Sequence, residues 1–116
     1  MAEGPGDWVE KDSFVLPLFS PKLNIDPVFA SLLHCAAFLE FSGDDVVDPD
    51  SAIEAMEQVS TYLGSLEPDE VETLSTQLER IVRHAKQEKW PEDVVDFLTD
   101  FLENFGAGDG DQDDED

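Results

Sequence analysis

The chain has 116 residues, 29 of them acidic and 6 basic, and a formal net charge of −23 at pH 7. Its 41% apolar content, with eight Phe and two Trp, suits one modest core and argues against wholesale disorder. So strong a negative field argues against binding to nucleic acid or anionic membranes, where each phosphate contact needs a cation, and it favours basic protein partners.

The acidity is spread along the chain. Residues 91–116 hold 11 of the 29 acids and no base, and the rest precede them together with all 6 bases. Cys35 is the lone cysteine, so neither a disulfide framework nor a zinc site can be assembled, and a reducing compartment is compatible. The first ten residues, MAEGPGDWVE, lack the positive-then-apolar pattern of a secretory signal. No apolar run approaches the roughly 20 residues that span a bilayer. A soluble, cytoplasmic protein is expected.

Residues 1–12 are polar and Gly-rich and read as a flexible N-terminus. Residues 13–26, SFVLPLFSPKLNID, are apolar, but Pro17 and Pro21 forbid a regular helix, so an extended arm is expected. Its Phe14, Leu16, Leu18 and Phe19 are candidates to pack on the body or, alternatively, to enter a partner.

Four helices are predicted, at about 27–42, 49–65, 68–89 and 91–105, each with a proline at its first turn. The first, PVFASLLHCAAFLEF, is apolar nearly all round and reads as the most buried. In the second, Ile53, Met56, Val59, Leu63 and Leu66 recur at helical spacing. Val71, Leu74, Leu78, Ile81, Val82 and Ala85 form the stripe of the third, and Val94, Phe97, Leu98, Phe101, Leu102 and Phe105 that of the fourth. Gly106 suits a helix stop. The short connections predict an all-α fold, a small four-helix antiparallel bundle with residues 13–106 as one domain. No strand pair is expected. Aromatics concentrate in the arm and in the first and fourth helices, which places those three at the centre of the core. Residues 107–116 read as a disordered acidic tail.

Few motifs carry chemistry. The tail fails as a calcium loop: counted from Asp109, its sixth position is Asp114 where the loop needs Gly, and its twelfth lies beyond Asp116. Only weak, nonspecific divalent binding is left to it. His34 and Cys35 are helix neighbours about 100° apart, so they do not face each other as base and nucleophile. Cys35 reads as an inert core thiol, His34 as an edge residue and His84 as a surface one. No catalytic motif, cofactor or metal site is expected. Arg80, Arg83, Lys86 and Lys89 cluster near the end of the third helix, where cations complement its dipole and pair with acidic neighbours.

The remaining feature is an acidic ridge. Asp93, Asp96, Asp100 and Glu103 recur at three and four on the outer face of the last helix, with no base near them in sequence. A rigid acidic face can fill a basic cleft, and complementary fields speed association. The candidate partner-binding set is this ridge with Asp44, Asp45, Asp48 and Asp50, anchored by an aromatic such as Trp8 or Trp90. The expected function is a non-enzymatic immunity or inhibitor protein that captures a basic toxin or nuclease. The alternative is an adaptor or assembly subunit docking through the apolar arm.

Overall fold

Three of the helices begin where an acid meets a proline, and the structure shows why. It is a computed structural model that describes residues 9–10 and 13–108, with side chains from residue 13. Asp26 caps α1 (Pro27–Phe41), its Oδ1 accepting from the Val28 amide at 2.8 Å. Asp48 caps α2 (Pro49–Gly64) by accepting from the Ser51 amide at 3.0 Å. At the start of α3 (Pro68–Gln87) the Glu70 carboxylate reaches back to the Glu67 amide at 2.8 Å. Each proline then occupies a position whose amide would have no helical partner. The fourth start differs by one residue: Pro91 is itself the cap, and α4 runs Glu92–Thr99.

The last predicted helix is broken. Asp100 separates α4 from a short α5 (Phe101–Asn104), with backbone angles of −100° and 8°. Thr99 turns its hydroxyl back onto the Val95 carbonyl at 2.7 Å, a contact that bends helices. The fold is mostly helical, with five α-helices among the described residues. No described helix is long and apolar enough to cross a membrane.

Two helix ends close alike. Lys89 and Gly106 both take positive φ, 60° and 66°. In each case the following amide bonds three residues deep into the helix end: Trp90 N–H to the Ala85 carbonyl and Ala107 N–H to the Leu102 carbonyl, both at 3.0 Å. This pattern favours glycine, which Gly106 supplies and Lys89 does not.

The arm packs on the body. β1 (Val9–Glu10) and β2 (Ser13–Phe14) form a two-stranded antiparallel ladder, with Val9 opposite Phe14. No strand was expected. The extended arm offers unpaired backbone groups, and the preceding segment satisfies them. Strand alternation sends Phe14 and Leu16 into the core and leaves Val15 outside. Leu18, expected to pack, is 88% exposed. The chain then makes a 3-10 turn, Pro21–Leu23, against α3, while β2 lies on α1.

The core is one cluster drawn from the arm and all five helices. Its centre is aromatic. Phe101 is fully buried and meets Phe29 edge-on at 6.2 Å, Phe97 edge-on at 5.6 Å and Phe105 stacked at 4.5 Å. Phe97 continues to Phe41 at 5.3 Å, and Phe41 to Phe14 at 4.9 Å. The arm, α1 and the α4–α5 segment do share the centre. Two expectations fail here. α1 is not buried all round: only Phe29, Leu33, Ala36 and Ala37 are inside, and Val28 is 77% exposed. Ile53 of α2 is also exposed, because α2 touches the core through a narrow face containing Ala52, Met56, Val59 and Leu63.

Two residues of the predicted tail, Ala107 and Gly108, are described and touch the body. Ala107 packs on the core, and the Gly108 amide donates to the Leu63 carbonyl at 2.9 Å, joining the end of α5 to the end of α2. Of the predicted tail, residues 109–116 lie outside the described residues, as do most of residues 1–12.

Phe101→Ala should cost about 3–5 kcal/mol of stability, read as a fall in the urea midpoint. Lys89→Gly should raise stability by about 1 kcal/mol by relieving the left-handed lysine, seen as a higher Tm.

Candidate functional site

The acidic ridge is not one surface. Asp93, Asp96 and Asp100 line a groove of about 460 Å³ between the α4–α5 segment and the end of α1. Glu40 and Phe41 of α1 form its other side, and Phe97, Asn104 and Phe105 complete the lining. Phe41 and Phe97 are only partly buried, so aromatic surface stands beside the carboxylates. Glu103 lies elsewhere. It lines a second groove with Glu79, Arg83 and Lys86, where opposite charges offset each other.

Four carboxylates thus share the first groove: Glu40, Asp93, Asp96 and Asp100. Their side chains make no hydrogen bond or ion pair with any described residue. Nearby like charges raise one another's energy, and an entering cation relieves this. A cation seated over a phenylalanine ring within about 6 Å gains further attraction. The groove therefore combines two features that stabilise a positive side chain.

The other sequence candidates divide. Asp44 lines a smaller groove of about 200 Å³ that also includes Glu40, so it extends the acidic surface. Asp45 and Asp50 are exposed on the turn before α2 and on its first turn, outside the acidic groove. Asp48 is exposed and caps α2, its Oδ2 accepting from the Ser51 amide at 3.0 Å and hydroxyl at 2.9 Å. Trp90 is half-buried at the turn between α3 and α4, packs on the core and meets the His84 ring edge-on at 5.8 Å. Trp8 lies outside the described residues.

Sequence reasoning missed Glu40, Phe41 and Asn104. Glu40 and Phe41 lie more than fifty residues before the ridge, and only packing of α1 on α4 brings them beside it.

Arg80 is not held by an acid. Its Nε donates to the Leu23 carbonyl at 2.9 Å and its Nη2 to the Asn24 carbonyl at 2.8 Å, clamping the arm's turn. No ion pair joins a base to an acid among the described residues. The folded acids are therefore left to repel one another.

Cys35 is exposed, which corrects the core-thiol expectation. It stands about 160° round α1 from both Leu33 and Ala37, the residues that face the core. His34 is half-buried under the arm, and both of its ring nitrogens meet backbone carbonyls. Among the described residues no group of three His, Cys, Asp or Glu side chains is placed to hold a metal ion. Comparison with protein-family models, curated proteins and solved structures finds no match to this chain.

Native Cys35 should react with a thiol reagent within about tenfold of the rate of a free thiol. A reaction that waits for unfolding would show that this face of α1 is covered.

Proposed function

We propose that this is a non-enzymatic, cytoplasmic interaction protein that captures a basic protein partner, most concretely as an immunity or inhibitor protein of a basic toxin or nuclease. We read its framework as an antiparallel four-helix bundle whose last helix is interrupted at Asp100. The observation that carries the proposal is the α1–α4 groove, with four unpaired carboxylates beside Phe41 and Phe97. Lysine or arginine side chains of the partner enter it. The net charge of −23 steers the encounter, and the groove supplies the contact.

A second reading, an adaptor docking through the arm, is favoured by one observation: Val15 and Leu18 stand exposed at 62% and 88%. Salt separates the two. Charge capture weakens as ionic strength rises, whereas apolar docking does not.

The test is a pull-down from host lysate at low and about 1 M salt, comparing wild type with Asp96→Lys/Asp100→Lys. The double variant should lose at least about 3 kcal/mol of binding, more than a hundredfold in Kd, measured on the purified partner. A partner held equally by the double variant would overturn the acidic-groove proposal. One held through high salt and released by Leu18→Asp would assign binding to the arm.

A further inference from the structure

We infer that His34 is a proton-operated latch that holds the middle of the arm on α1. Its Nδ1 lies 2.8 Å from the Ala30 carbonyl oxygen, one turn back on α1. Its Nε2 lies 3.1 Å from the carbonyl oxygen of Pro17, in the arm. Both neighbours are carbonyls, and neither can donate. A neutral imidazole has one N–H, so one of its nitrogens must turn a lone pair toward an oxygen. The imidazolium has two N–H groups and satisfies both.

The geometry also says which contact is lost on deprotonation. The bond to Ala30 is the shorter, and it closes within a helix that is already formed. The bond to Pro17 is the longer, and it must hold an otherwise extended segment in place. The neutral ring keeps its proton on Nδ1 and leaves Pro17. The Phe19 ring adds to the effect. Its centroid is 4.8 Å from that of His34, tilted by 55°, where a charged imidazole is attracted more than a neutral one.

The other described holds on the arm, which include Phe19, Leu23 and Ile25 packed against the core, do not depend on a group that titrates near neutrality. At one end Phe14 and Leu16 are buried, and the Phe14 amide donates to Ser42 Oγ at 2.9 Å. At the other end Arg80 holds the Leu23 and Asn24 carbonyls, and Gln77 Oε1 accepts from the Asp26 amide at 2.8 Å. Of the residues lining the groove between arm and α1, only His34 and Cys35 titrate, and none comes from α3 or α4. The charged residues flanking this part of the arm are Lys22 and Asp26, both exposed. Glu40 lies further along α1, in the acidic groove. Deprotonation therefore loosens the Pro17 end of residues 17–20, while Phe19 keeps its packing against the core. The latch is independent of the partner proposed above.

The test uses amide hydrogen exchange and nitrogen NMR on the full chain between about pH 5 and 8. Protection at Lys22 and Leu23, whose amides donate to Ser20 Oγ and to the Ser20 carbonyl at the edge of the loosened segment, is taken relative to Ile81 in the core of α3. Relative protection should fall about tenfold as His34 loses its proton, the equivalent of one charge-assisted hydrogen bond. The fall should track the ring-nitrogen shifts of His34, which report the doubly protonated form directly. In His34→Gln, which cannot titrate, relative protection should stay flat. Flat protection in the wild type would overturn the latch. So would a fall that tracks another group, or an equal fall in the variant. Because the wild-type titration decides the matter alone, a variant that failed to fold would not rescue the proposal.

Discussion

The burial of Phe101 holds this fold together. One ring brings together Phe29 from α1, Phe97 from α4 and Phe105 just after α5, and through Phe97 and Phe41 it reaches Phe14 in the arm. The protein has much to overcome. It carries a net charge of −23, and no ion pair among the described residues offsets the repulsion. Stability must come from apolar burial and from aromatic contacts, which add about 0.5–1.5 kcal/mol per pair beyond burial itself.

That packing also creates the acidic groove. Phe41 and Phe97 are the half-buried links of the aromatic chain, and the residues beside them, Glu40 and Asp96, are acids. Bringing the rings together brings the carboxylates together. The groove is thus a consequence of the core at the point where it reaches solvent. Glu103 lies outside it, in a neighbouring groove that also contains Arg83 and Lys86.

The arm follows a different logic. Its ends are held by burial, by a hydroxyl and by a guanidinium, none of which changes charge near neutrality. Its middle rests on Phe19, packed against the core, and on one imidazole between two carbonyls. A segment held in this way responds locally, leaving the core intact. Its outer side chains, Val15 and Leu18, are where an apolar partner would meet it.

Local information determined a good deal. Acid–proline pairs mark the helix starts because capping and the missing proline amide act within a few residues. Apolar spacing identified the buried faces of α3 and α4, and Gly106 marked a helix end because its left-handed conformation is a local property. The crowding of aromatics in three segments foretold the centre of the core. Tertiary structure decided the rest. Which side of α1 is covered, and hence that Cys35 is exposed, depends on what packs against it; an almost wholly apolar helix carries little angular signal of its own. The roles of Glu40, Phe41 and Arg80 arise from contacts across tens of residues, which no local pattern encodes. The acidic ridge was legible as a spacing. Its partition between two grooves was not, because that partition depends on the helices packed on either side.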